Sequence, residues 1–311
     1  MITTHTFNPS IDITYNVEQL QIGKVHRPFQ SIKNAGGKGI NVSKVLVQLG
    51  ADLRAHTYLG GENGQWLEGK LNELNIPSII THIKDSTRQC IAINDGNKQT
   101  EILEKGPEIS QEEQNHYLNQ LQKSNNYIDT MVISGSTPEL QENSSLHHIK
   151  EILESTSNSY NIVDIRASEL IKILQRKLPV HCIKPNEEEF KTLVNESELN
   201  EKKICTFMKA HSLFKGIDVF LTLGAKGAIV KINENIYKVE IPEIIVENPV
   251  GSGDATVAGI AFGRQKFYGE DQKIIRLALS CGMSNAAQKA TGHINLKQIQ
   301  AFANNIKVEL L

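Results

Sequence analysis

Short β-rich runs alternate with longer amphipathic stretches along most of this chain, and that alternation limits its fold more than any other feature. Strand-like runs lie at residues 2–7, 52–59, 130–134, 160–164, 181–184 and 219–223. Helical spacing follows at 39–49, 64–74, 112–122, 144–154, 167–174, 187–193 and 202–213, with a last pair after Gly253 and around 271–287. Repeated β-α order predicts a mainly parallel sheet with right-handed crossovers, covered by helices on its faces.

Two segments break the pattern. Residues 12–15 with 25–32, and 90–94 with 99–103, read as strands with no helix between them. The second pair is joined by Asn-Asp-Gly-Asn at 94–97, and its Asp-Gly is a strong hairpin signal. These strands, from about 12–34 and 88–104, are expected to form a small β lid over the ligand edge of the sheet. No internal repeat, linker or low-complexity segment stands out, so one domain over 1–311 with a lid is expected.

Partners are narrowed by charge and composition. The 33 basic and 35 acidic residues leave a net charge of −2 without a basic block, which argues against nucleic acid or an anionic membrane. The apolar runs are far short of the roughly 20 residues of a membrane span. The first residues lack the cationic start and apolar stretch of a signal peptide. Cys90, Cys182, Cys205 and Cys281 are widely spaced with no CxxC, as expected of reduced thiols rather than a zinc site or disulfide framework. A cytoplasmic protein is expected.

Chemistry concentrates at residues 248–259, Asn-Pro-Val-Gly-Ser-Gly-Asp-Ala-Thr-Val-Ala-Gly. Two glycines and a serine before a helix turn several N–H groups toward one spot, where the helix dipole also favours an anion. Asp254 stands at the same place. Either it complements the dipole, or it takes a proton from a hydroxyl that attacks a phosphate held by the turn.

A second glycine cluster, Ala35-Gly-Gly-Lys-Gly-Ile-Asn41, would let a ligand approach the backbone, with Asn41 in the first turn of a helix. It is neither a Walker A loop nor a GxGxxG turn. Residues 64–71 fit GxxxxGK but carry Leu71 where the metal-binding hydroxyl belongs, and read as amphipathic helix. In Lys184-Pro-Asn-Glu-Glu-Glu-Phe190, Asn186 and Glu189 fit a capping box or hold water around Mg²⁺. Thr222-Leu-Gly-Ala-Lys-Gly227 ends another strand, where open α/β sheets bind ligands. Arg88 reads as a surface charge or an anion clamp, and Asp12 as a turn former or an acceptor for sugar hydroxyls.

Together these segments resemble the ribokinase-like carbohydrate kinases of the phosphofructokinase B group, over the whole length from Asn8-Pro-Ser-Ile-Asp12 to the last helices. The segments at 35–41 and 248–259 carry the resemblance. Residues 248–254 and 100–107 look most like the members acting on tagatose 6-phosphate, with the 1-phosphofructokinases as near neighbours.

The resemblance implies a three-layer α/β/α fold with a mainly parallel sheet and a β lid, using ATP and Mg²⁺. It implies Asp254 as general base and the N–H groups of Gly251, Ser252 and Gly253 as an anion hole. Asp12, Gly36, Gly37 and Asn41 match sugar-holding positions. Arg88 matches the clamp on the sugar's phosphate, with Arg27 and Lys38 as helpers. Lys184, Asn186, Thr222, Gly224 and Gly227 match nucleotide positions, Asn285 lies near the adenine, and Asn186 with Glu189 matches the Mg²⁺-associated pair. The implied substrate is D-tagatose 6-phosphate, with fructose 1-phosphate and fructose 6-phosphate as alternatives. A non-catalytic sugar-phosphate sensor on the same fold is a remote alternative. Open lid edges suggest a homodimer. One departure is Ile165-Arg166-Ala167, where relatives often carry small residues.

Overall fold

The structure, a computed structural model, describes residues 1–124, 127–141 and 144–311. Strand β1 (Ile2–Thr6) leads into β2 (Ser10–Asn16) and β3 (Gln30–Gly36), then α1 (Lys38–Gln48). A parallel unit follows as β4 (Leu53–Gly60), α2 (Gly61–Glu73) and β5 (Ser78–Ile83), then a hairpin of β6 (Arg88–Asn94) and β7 (Gln99–Leu103). The middle of the chain runs β8 (Glu108–Ile109), α3 (Gln111–Ser124), β9 (Thr130–Ser134), β10 (Glu139–Leu140), α4 (Ser145–Ser155), β11 (Tyr160–Asp164) and α5 (Ala167–Gln175). It continues with β12 (Cys182–Ile183), α6 (Glu187–Val194), α7 (Glu201–Ala210) and β13 (Asp218–Thr222). The last part holds β14 (Ala228–Ile232), β15 (Asn235–Glu240), α8 (Ser252–Lys266), α9 (Asp271–Ala286), α10 (Leu296–Asn305) and β16 (Lys307–Leu310).

Ten strands form the central sheet in the order β16-β15-β14-β13-β12-β11-β9-β1-β4-β5. From β13 to β5 every neighbour is parallel, as the β-α alternation requires. Side chains alternate between the two faces along each strand. In β9, Val132 enters one apolar layer while Met131 and Ile133 enter the other, and in β13 Phe220 is flanked likewise by Val219 and Leu221. Helices α1, α2, α8, α9 and α10 cover the first layer, and α3 to α7 cover the second. Burying each such Val, Ile or Leu stabilises the fold by about 1.5–3 kcal/mol. Chain direction across the sheet reverses at β1, between β4 and β9, and ligands bind at such switch points beyond the C-terminal strand ends.

The irregular segments form a separate four-stranded sheet, β3-β2-β6-β7. Its register pairs Ser10 with both Gly36 and Arg88, so the root of this sheet stands over the C-terminal end of β1. The strand expected at 25–32 begins instead at Gln30 and runs to Gly36. Pro28 lacks the N–H a ladder needs, and pairing starts where Phe29 N–H donates to the Asn16 carbonyl at 2.9 Å. Sequence reading also missed β5, the antiparallel edge β14-β15-β16 and helix α10. Among the described residues, no helix is long and apolar enough to cross a membrane.

Candidate active site

The turn before α8 is built by its own side chains. Asn248 Oδ1 accepts from the Val250 N–H at 3.0 Å, and Ser252 N–H donates to the Pro249 carbonyl at 3.3 Å. Gly251 caps the helix with φ of 82°, in the left-handed region, and a β-carbon there would fall 2.5 Å from Thr291 Cγ2. Glycine is required on both counts. Asp254 follows in the first turn of α8 and is buried. Gly253 faces Lys184: a β-carbon on it would lie 3.2 Å from Lys184 Nζ.

Around Asp254 the fold gathers charge from distant parts of the chain. Asn41 of α1 donates from Nδ2 to Asp254 Oδ2 at 2.9 Å. Asp164, at the C-terminal end of β11, is buried between Lys38 Nζ at 3.4 Å and Lys184 Nζ at 3.7 Å. Burial would push Asp164 up, but Lys184 and Lys38, helped by a bond from Ser134, hold its carboxyl below the usual range. Burial pushes Asp254 up to about 6, and the Asp164 charge adds to the rise. The Asn41 bond and the ammonium groups of Lys38 and Lys184 oppose it. Such a carboxyl is largely ionised at neutral pH yet basic enough to accept a proton from a hydroxyl.

One wall of the site comes from the small sheet. Asp12 rests directly on Gly36, where a β-carbon would fall 2.1 Å from Asp12 Oδ1. Gly37 begins α1, setting Lys38 and Asn41 in its first turn. Arg88 donates to the carbonyls of Asn8 at 3.1 Å and Glu104 at 3.2 Å, while its buried Nε has no partner among the described residues. Arg88 lines a cavity of about 930 Å³ with Thr6, Asn8, Lys38, Ser134 and Ser136. Its remaining donors and its charge suit an anion entering that cavity. Arg166, from the departing Ile-Arg-Ala segment, lines the same cavity and pairs with Glu169 at 2.7 Å. Arg27 is not brought in: it stands exposed in the loop between β2 and β3.

At the ends of β12 and β13, Asn186 and Glu189 form a complete capping box, each side chain bonded to the other's N–H at 2.8 and 2.9 Å. Glu189 also lines the cavity. Thr222 bridges to Asn186, and Gly224 and Gly227 shape the turn after β13. Gly227 answers to packing, since a β-carbon there would lie 2.0 Å from the Val239 carbonyl oxygen. Asn285, expected near the adenine, is fully buried, donates to the Val250 carbonyl at 2.9 Å and accepts from Gly292 N–H at 2.8 Å. Its amide braces the 248–254 turn. Among the described residues no cluster of three or more His, Cys, Asp or Glu could hold a metal by itself.

Asp164, which the fold places between Lys38 and Lys184, was not among the expected site residues; it ends a strand and so carried a positional signal.

A family model described as pfkB family carbohydrate kinase matches residues 5–298. Two tagatose-6-phosphate kinases from strains of Staphylococcus epidermidis are each 38% identical to the chain over 309 residues, covering 99% of both proteins. The solved phosphofructokinase-2 from Escherichia coli shares the fold, with a TM-score of 0.86 at 23% identity over 97% of this chain and 98% of that one. With its turn, buried carboxylates and parallel sheet in place, the chain belongs to the pfkB family of carbohydrate kinases and is a sugar kinase, a phosphotransferase.

Proposed function

We propose that the chain transfers the terminal phosphoryl group of ATP to the C1 hydroxyl of D-tagatose 6-phosphate, giving the 1,6-bisphosphate. The observation that carries this reading is Asp254, buried in the first turn of α8 beside the glycine turn and bonded to Asn41 at 2.9 Å. Likeness to the tagatose-6-phosphate kinases over nearly the full length supports the choice of sugar.

Asp254 takes the proton of the attacking hydroxyl, a role typically worth about 10²–10⁴ in rate. The N–H groups of Gly251, Ser252 and Gly253, with Lys184 beside them, stabilise charge on the group in transfer. Asp12, Gly36, Gly37 and Asn41 hold the sugar, and Arg88 with Lys38 receives its existing phosphate. Lys184, Asn186, Thr222, Gly224 and Gly227 border the nucleotide. Glu189, with Asn186 beside it, would hold Mg²⁺ through water. When bound, that ion neutralises charge on the ATP phosphates.

The small sheet acts as a lid on a single-domain kinase working in the cytoplasm, and its closure excludes water that would hydrolyse ATP. Strands β3 and β7 leave that sheet with exposed edges, and Phe29, Ile32, Ile102 and Leu103 are exposed on it. Such edges suit a second lid, so a homodimer is expected. Sedimentation at working concentration checks this, and a monomer would count against it.

The substrate is tested by kcat/KM for tagatose 6-phosphate, fructose 6-phosphate and fructose 1-phosphate with Mg²⁺-ATP. Tagatose 6-phosphate is expected to lead. A higher value for either fructose phosphate would reassign the sugar, and no transfer to any of them would remove the reading.

A further inference from the structure

Lys44 lies one turn inside α1, behind the carboxylates. Its Nζ donates to the Ala35 carbonyl at 2.6 Å and to Asn41 Oδ1 at 3.1 Å. Its stem packs under Gly292, where a β-carbon would fall 2.7 Å from Lys44 Cδ. Gln48 holds that loop by donating to the Gly292 carbonyl at 2.8 Å. The ammonium is therefore held in place from two sides.

An ammonium can only donate, so the Asn41 atom facing it must be the carbonyl oxygen. The Asn41 NH₂ must then face the other way, toward Asp254, where it donates at 2.9 Å. With Oδ2 of Asp254 taken up by this bond, Oδ1 is left for a substrate hydroxyl. We propose that Lys44 is a positioning residue for phosphoryl transfer, orienting Asp254 through the Asn41 amide and supplying a fixed positive charge behind the base.

The electrostatics agree with this placement. Burial draws Lys44 down to about 8, against the pull of Asp12 and Asp254, while Lys70 of α2 lowers it further. Asp254 is faced by Asp164 of β11, by Asn41 and Lys38 of α1, and by Lys184 beyond β12. Asp164, Lys38 and Lys184 remain when Lys44 is changed, and of the four only the Asn41 bond depends on it. Loss of the Lys44 charge disfavours the ionised carboxylate, so the acid limb of the kcat/KM profile must move to higher pH.

The kinetic readout rests on the sugar-kinase reading above. In Lys44→Met, kcat is expected to fall about 10- to 100-fold with the ATP KM unchanged. The acid limb is expected to rise by about one unit, and Lys44→Arg should restore part of both. Adding Asn41→Leu to Lys44→Met should cost little beyond Asn41→Leu alone, because the two act through one path. Wild-type kcat and limb in Lys44→Met, or fully additive losses in the double variant, would overturn the proposal. So would a fall in kcat with an unmoved limb and no rescue by arginine.

Should Lys44→Met not fold, Lys44→Gln removes the charge but can still donate to Asn41. Its acid limb must rise while more of kcat survives, and an unmoved limb overturns the proposal. An infrared titration of the Asp254 carboxyl, assigned by difference from Asp254→Asn, reads the same coupling with no substrate present. A protein that phosphorylates no ketohexose phosphate would end the sugar-kinase reading. Equal Asp254 titrations in wild type and the Lys44 variant would end this one.

Discussion

Strand β1 and its neighbours carry two clusters of buried polar groups that are arranged in opposite ways. Within the second apolar layer, His5 stacks on His56 with ring centroids 4.9 Å apart and meets the Tyr117 hydroxyl at 2.7 Å. Tyr58 meets His148 at 2.9 Å. Burial draws His56 and His148 down to about 4 and His5 well below its ordinary value, so all three are neutral. Beyond the strand's C-terminal end, carboxylates and ammonium groups oppose one another: Asp164 lies between Lys38 and Lys184, and Asp254 takes the Asn41 bond, whose oxygen accepts from Lys44. Both clusters hold strongly shifted groups, yet the cavity meets only the second, at Lys38. A shifted pKa therefore marks burial. A site needs, in addition, opposed charges and an opening for substrate.

The largest expected break in the comparison is Asp254→Asn. Turnover should drop by about 10²–10⁴ while ATP still binds by calorimetry. Near-normal turnover would remove Asp254 as the base.

The same variant also tests the stability side. The folded value of Asp254 lies above its ordinary 3.8, so its stabilising contribution is present in acid and is lost as pH rises from about 4 through 6. At neutral pH this buried carboxylate costs on the order of 3 kcal/mol. Asp254→Asn should recover about 2–3 kcal/mol in urea unfolding at neutral pH, fading toward pH 4. A gain that does not depend on pH would contradict the assigned cause.

The histidines have the opposite sign. Their folded values lie below 6.5, so their contribution is complete at neutral pH and is lost as pH falls from about 6.5 toward 4. His56 is the cleanest probe, because neither ring nitrogen has a partner among the described residues. Compared with wild type, His56→Phe should lose about 2 kcal/mol less stability between pH 7 and pH 5, with kcat at neutral pH unchanged. Altered kcat would mean that the neutral cluster reaches the site after all. The smallest effect is expected for Gly36→Ala, whose added methyl displaces the Asp12 carboxylate. The sugar KM should rise about tenfold, or about 1.4 kcal/mol, with the ATP KM unchanged in the same assays.

Much of the site was legible because its chemistry is local. Residues 248–254 and 35–41 declare their glycines, and a turn with positive φ or a close backbone approach leaves few other choices. The parallel sheet was legible from β-α alternation for the same reason. The antiparallel edge was harder, since β14 and β15 follow β13 with no helix between them and so fall outside the β-α alternation, and β16 pairs only after the chain has crossed the molecule through three helices. Asn285 shows what local reading does not give: packing turns the amide of this late-helix residue toward the 248–254 turn, and its position in the chain does not announce that contact.

By itself, then, the sequence determined the layered sheet, the glycine turn before α8 and the carboxylate in the first turn after it. Those depend on periodicity and on glycine, which act over a few residues. Tertiary structure alone decided that Lys44, 210 positions before Asp254, orients its partner Asn41, and that Asp164 sits between two lysines. It also decided that three histidines stay neutral. Burial and Coulomb energy depend on distance through the fold, and distance along the chain does not encode them.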